Sequence, residues 1–341
     1  MKLVPLIQQS EISGAYNRVV EKLKHRAKPF TRHIGWQGGN VKGEVFWLSD
    51  HKIWFLLDRH KGESRYWFLI GLQNPEDRSV LQITCEVNAP IEGVNRMCAG
   101  VFLKDDRNNI YMGHSGKIGG GRKGIGKNEF IQWRGETLDT VEWSDGKKTD
   151  SIIIGCVNSQ HFNSQLASFA KQVEEFKSYT TGEIITKPKQ KKSKTLFTPE
   201  FSGIRSGYKI NNSIEAKCNH GVIINTLRDI LLQMGKNVKR DRYRDLFIQS
   251  GKRITHLFEA KTDVSRTNIY TGIGQLIFLG MQENIPKRIL VLPDLPDDMS
   301  FKVLRELGIN VLTFSWKKDI PIFKNIMSLF NEVDHRQRNS H

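Results

Sequence analysis

No stretch of this chain approaches the ~20 consecutive apolar residues that a membrane-crossing helix needs. The opening MKLVPLIQQSEISGAY also lacks the apolar core of a signal peptide. Both absences predict a cytoplasmic location and no membrane partner. Cysteine is scarce: Cys85, Cys98, Cys156 and Cys218 are scattered and form no CxxC pair, which argues against a zinc knuckle or a disulfide framework. Reduced core residues are the simplest expectation for all four. Acid is in deficit, with 36 Asp and Glu against 52 Lys and Arg, a net charge of +16. Such a surface favours polyanions, and nucleic acid is the first partner to consider. With 341 residues the chain exceeds one ordinary core, so two domains are expected.

The Lys-rich run KPKQKKSK, residues 187–194, has nothing apolar to bury and reads as a linker, a solvated spacer or a further DNA contact. It divides the chain into a β-rich domain over residues 1–180, a linker over 181–198 and a second domain over 199–341. Before the linker, short stretches such as KIWFLLD, RYWFLIGL and SVLQITCEVN carry β-branched and aromatic residues and predict strands. Six of the seven tryptophans lie in this half, mostly as expected core, with one or two available to stack on a base. Leu166, Phe169, Val173 and Phe176 recur at helical spacing and predict a helix that closes this domain. His33 and His114 flank glycines, which suggests exposed loop positions.

The stretch GKIGGGRKGIGKNEF, residues 116–130, holds Gly121, Gly126 and Lys127 at the spacing of a nucleotide-binding P-loop. A P-loop also needs a Ser or Thr after the Lys to hold Mg²⁺, and here Asn128 stands in that place. Gly135 further interrupts the long helix that should follow. What remains is a glycine-rich segment with Lys117, Arg122, Lys123 and Lys127 and no acid from Gly113 to Asn128. Glycine lets backbone amides approach an anion, and four cations favour a polyanion. These residues fit a grip on nucleic-acid phosphates and a solvated basic hairpin equally well.

The second half carries DRYRDLFIQSGKRITHLFEAKTD, residues 241–263. Two apolar runs around SGKR predict a hairpin. With a loop of Gly251, Lys252 and Arg253, Ser250 pairs with Ile254, and Asp245 then faces Glu259. Side chains alternate along a strand, so Glu259 and Lys261 share a face. Like charges facing across strands are destabilising unless a cation lies between them. Two carboxylates and a lysine suit Mg²⁺, with Mn²⁺ as a substitute, acting on a phosphate substrate. An ordinary surface Glu/Lys pair is the plain alternative. The apolar residues before Glu259, the opposing Asp and the helix that follows count against it.

This segment resembles the PD-(D/E)xK nuclease superfamily, whose restriction-endonuclease-like core runs αβββαβ with a mixed sheet. SIEAKCNHGVIINTLRDILLQMG matches the opening helix, and NVKR, RYRDLFIQ and RITHLFEAK the three strands. TNIYTGIGQLIFLGMQEN and KRILVLP supply the next helix and strand, then DDMSFKVLRELG and INVLTFS. The resemblance covers residues 199 to about 315 and implies an α+β or α/β fold. By it Asp245 stands for the first acid, Glu259 for the second, Lys261 for the lysine, and Gln275 for a glutamine near the active site. Arg244 stands where a proline often precedes the first acid, and Asp241 is a weaker alternative for that acid. His220 falls near where related opening helices carry a metal-binding Glu; a polar helix-boundary residue is the other reading of it. The region EVNAPIEGVNRMCAGVFLKDD with the glycine-rich segment also looks like domains joined to nucleases in bacterial defence proteins.

The resulting expectation is a Mg²⁺-dependent endonuclease acting on double-stranded DNA, with restriction or defence as its setting and the first domain recognising the substrate. A structure-specific repair nuclease is the nearest enzymatic alternative. A DNA-binding protein with a degenerate nuclease fold is the alternative from another class, and RNA as substrate stays open. Cutting both strands calls for two sites, and hence a homodimer.

Overall fold

The computed structural model describes residues 3–36, 39–58, 64–95, 97–118, 125–134, 138–143, 146, 148–181, 214–241, 243–281 and 285–330. Residues 182–198 of the expected linker lie outside the described residues, and Thr181 ends the helix Phe162–Thr181. The protein is α+β and divides by contacts into two units. The first comprises Met1–Asn225 with Lys318–Ile320, the second Thr226–Lys317 with Pro321–His341. The division falls inside the helix Ile214–Gln233. Among the described residues no helix is long and apolar enough to cross a membrane.

The first unit is β-rich and holds two sheets. One is built on the antiparallel meander Lys28–Trp36, Gly39–Leu48, Ile53–Asp58 and Arg65–Gly71. Val80–Gln82 runs parallel to its first strand, and Cys85–Glu86 joins the last. The second sheet orders Val4–Pro5, Gly100–Lys104, Ile110–His114, Lys148–Cys156 and Asp139–Glu142, all antiparallel. Three helices contribute to the main core, the shortest, Lys127–Arg134, through Phe130. Gln9–Lys24 buries Ile12, Ala15, Tyr16, Val19 and Leu23, a helical-period stripe. Phe162–Thr181 buries Leu166, Phe169, Val173 and Phe176, the four positions whose spacing predicts it. A smaller cluster, including Val45, Trp47, Trp54 and Leu69, uses residues of alternate parity on the meander. Trp47 and Trp54 are thus core, whereas Trp36 is 45% exposed. All four cysteines are buried, and none forms a disulfide.

Two expectations for this unit are corrected. His33 lies within the strand Lys28–Trp36 rather than in a loop, although it is exposed. His114 ends the strand Ile110–His114 and is 0% exposed. Its ring packs against Phe169, with centroids 5.0 Å apart.

The second unit holds a six-stranded mixed sheet whose spatial order follows the chain: Val238–Lys239, Leu246–Ser250, Arg253–Ala260, Lys287–Leu292, Ile309–Lys317 and Ile320–Phe323. The first three strands are antiparallel. The next two join in parallel register, which requires crossovers. The helices Arg266–Met281 and Asp298–Glu306 provide them. Asp297 caps the second of these, its carboxylate accepting from the Ser300 N–H at 3.0 Å. Leu257, Leu290 and Leu292 of the sheet cluster with Leu276 and Leu304 of the two helices. The last strand and the 3₁₀ turn Ile326–Leu329 have no counterpart among the elements read from the sequence.

Candidate active site

The hairpin that carries the motif differs in two details from the sequence-based expectation, and the two cancel. Its loop is only Gly251–Lys252, with Gly251 at φ +60°, and Ser250 pairs with Arg253 instead of Ile254. An irregularity between Ile248 and Gln249 then leaves Thr255 as an extra residue on the returning strand, a β-bulge. Beyond it Ile248 pairs with His256, Phe247 with Leu257 and Leu246 with Phe258. Continuing that register by one residue puts Asp245 opposite Glu259, as expected. The apolar pairs fix it, because a one-residue slip would turn Leu257 and Glu259 to the opposite face.

Asp245 is 0% exposed and Glu259 3%. Oδ2 of Asp245 accepts from the Ala260 N–H at 3.0 Å, so this side chain takes up the backbone donor next to Glu259. Lys261 has its backbone N–H on the Val291 carbonyl at 2.9 Å, which ties the end of the motif to the neighbouring parallel strand. Its Nζ donates to Oε1 of Glu259 at 2.8 Å and to Oε1 of Gln275 at 2.7 Å. Lys261 therefore joins Glu259 to Gln275 at one end of the mixed sheet, and Asp245 engages the backbone N–H next to Glu259.

Gln275 reaches Lys261 from the helix Arg266–Met281, and Gly272, one turn earlier on the same helix face, makes the approach close. A Cβ at Gly272 would lie 2.6 Å from Cδ1 of Leu290 and 3.3 Å from Cε of Lys261. Sequence reading missed Gly272. The three-residue spacing of Gly272 and Gln275 was the signal available. Asp263, just beyond Lys261, receives the Ser265 N–H at 2.9 Å before the same helix begins. Burial pushes its carboxyl pKa up, but hydrogen bonds from Ser265 and Asn268 outweigh this and hold it below the ordinary value.

Asp241, the alternative first acid, is engaged in its own turn. Oδ1 accepts from the N–H groups of Tyr243 and Arg244, both at 2.9 Å, and Oδ2 pairs with Arg244 at 2.5 Å. His220 is half-buried on the helix Ile214–Gln233, in the stretch grouped with the first unit. Among the described residues no group of three or more His, Cys, Asp or Glu is arranged to hold a cation. Two carboxylates nevertheless suffice for Mg²⁺, which keeps several waters and takes substrate phosphate oxygens as further ligands. The donor set of Asp245 and Glu259, hard oxygens on buried backbone, fits such an ion.

In the first unit, Lys117 and Lys127 line one cavity of about 360 Å³. Arg122 and Lys123 lie outside the described residues. An eight-residue helix, Lys127–Arg134, follows the glycine-rich segment and ends immediately before Gly135. Asn128 at its start is exposed and offers no Mg²⁺-binding hydroxyl.

Searches of protein-family models, curated proteins and solved structures found no match to this chain.

Proposed function

We propose that the second unit is a PD-(D/E)xK-type phosphodiesterase and that the whole chain is a Mg²⁺-dependent DNA endonuclease in which the first unit holds the substrate. The observation that carries this reading is the contact of Lys261 Nζ with both Glu259 and Gln275, beside a buried Asp245 that accepts from the Ala260 N–H. A buried ion pair adds little net stability compared with apolar packing. Two buried acids, a lysine and a glutamine gathered at a sheet end are better explained by chemistry than by folding.

Asp245 and Glu259 would hold Mg²⁺, which when bound activates water and polarises a phosphoryl oxygen. An ammonium group carries three donors, and two on Lys261 are directed at Glu259 and Gln275. The third can hold the attacking water or steady the charge that develops on the phosphate. Gln275 acts on Lys261 by fixing where its Nζ sits. The +16 charge supports a polyanionic substrate, and a separate β-rich unit supports the recognition of particular DNA, as a restriction or defence enzyme requires.

The test is incubation of the full chain with plasmid and phage DNA, with Mg²⁺ or with EDTA. Metal-dependent discrete fragments support a sequence-specific enzyme, and a smear a nuclease that reads DNA structure. Intact DNA that nevertheless shifts in a gel would refute cleavage and leave a binding protein.

A further inference from the structure

The cavity that holds Lys117 and Lys127 is built as more than a phosphate grip. At about 360 Å³ it falls at the small end of the ~300–1,000 Å³ typical of ligand pockets. Its wall includes the buried apolar side chains of Cys98 and Val141 and the half-exposed Trp143. Trp143 is held by its own Nε1–H, which donates to Thr149 Oγ1 at 2.7 Å. Ser115 lines the same space, and its hydroxyl is buried with no hydrogen-bond partner among the described residues. A buried hydroxyl without a partner is destabilising, and a polar ligand would relieve this. The Asp150 carboxylate stands on the lining as an acceptor.

The rim adds a second feature. Val94 lines the cavity and is 59% exposed, and Met97, next in sequence to the lining residue Cys98, is 81% exposed. Proteins that extrude a nucleotide insert such apolar residues into the stack, and read the base by stacking and by hydrogen bonds to its edge.

We propose that this cavity receives a single unstacked DNA base, with Trp143 as its stacking surface, Ser115 as a polar contact to its edge and Lys117 and Lys127 on the flanking phosphates. The inference rests on the assignment of DNA as substrate and states how the first unit reads it. A nucleotide cofactor is the less suitable occupant, because Asn128 stands where a Mg²⁺-binding hydroxyl would be needed. Unstacking a paired base is costly, and the cost falls when the base is already unpaired. A duplex with one unpaired nucleotide should therefore bind more tightly.

The experiment measures affinity of the full chain, in EDTA, for three duplexes by fluorescence anisotropy. One is fully paired, one carries a single unpaired nucleotide, and one carries the same bulge without its base. We expect at least tenfold tighter binding to the bulge that keeps its base than to either of the others. Ala99→Trp, which fills the cavity from its half-exposed lining, and Trp143→Ala, which removes the stacking surface, should each abolish the preference while leaving affinity for paired DNA within about twofold. Melting temperatures check that both variants fold. Equal affinity for the two bulges, a preference that survives both folded variants, or no binding of any duplex would overturn the inference. Because metal is absent, these outcomes are independent of cleavage, which is read separately with Mg²⁺.

Discussion

Acidification should destabilise the first unit through His114. Nδ1 of this ring accepts from the Gly116 N–H at 2.9 Å, and Nε2 lies 3.1 Å from the Glu86 carbonyl, which requires the neutral ring with its proton on Nε2. Protonation would set an N–H against the Gly116 N–H. Burial lowers the His114 pKa from 6.5 to about 4, and the cations Arg134 and Lys127 push in the same direction; the hydrogen bond to Glu86 opposes them only in part. The unfolded chain takes up the proton first as pH falls. The stabilisation is therefore complete above pH ~6.5 and is lost between there and pH ~4. At 1.36 kcal/mol per pKa unit the whole span is about 3 kcal/mol, and by pH 5 roughly 2 kcal/mol is gone. The assay is urea unfolding at pH 7.5 and pH 5, followed by tryptophan fluorescence, since six of the seven tryptophans precede residue 226. His114→Gln keeps an N–H for the Glu86 carbonyl and does not titrate. Other ionisable groups act alike in both chains, so wild type should lose about 2 kcal/mol more than the variant. Equal losses would refute the reasoning.

Gly272→Ala should lower cleavage at least tenfold, because its Cβ would meet Leu290 and Lys261 and displace the helix that carries Gln275; the helix-propensity gain of about 1 kcal/mol should keep thermal stability near wild type. Asp241→Asn can still accept in its turn and should cleave within twofold of wild type, whereas Asp245→Asn should cleave at least a hundredfold more slowly; a kinetic comparison of the two decides which is the first acid. Gln275→Ala frees Lys261 Nζ without removing it, and should lower kcat more than it raises KM in single-turnover and steady-state cleavage assays.

The second unit was legible because its signals are local. Apolar runs of strand length alternate with helix-length segments, and Gly251 marks the turn between the two motif strands. The pairs from Ile248–His256 to Leu246–Phe258 follow the expected register even though the loop is one residue shorter than expected, because the bulge at Thr255 restores the count. A two-residue turn and a bulge are set by backbone conformation, and nothing in SGKRIT distinguishes them from a three-residue loop. The first unit was legible only as β-rich. Its sheets join distant segments, such as Val80–Gln82 alongside His33–Gly35, and composition carries no information about such pairings. The glycines around His114 misled for a specific reason. Gly113 is glycine because a Cβ there would lie 2.9 Å from Ser151 Oγ, a packing constraint inside a strand and not a turn. Gly116, at φ +86°, is the true turn residue. The cavity beside it was illegible, since Cys98, Ser115 and Trp143 come together only through strand pairing.

The central claim is that Glu259 and Lys261 carry metal-dependent phosphodiester cleavage. The most direct measurement is single-turnover cleavage of plasmid DNA with Mg²⁺ by wild type, Glu259→Gln and Lys261→Met, each variant shown by calorimetry to fold and by gel shift to bind DNA. The account predicts Mg²⁺-dependent cutting by wild type and a loss of at least a hundredfold in both variants, with DNA affinity within about threefold of wild type. Undiminished cleavage by either variant, or no metal-dependent cleavage by wild type, would contradict it.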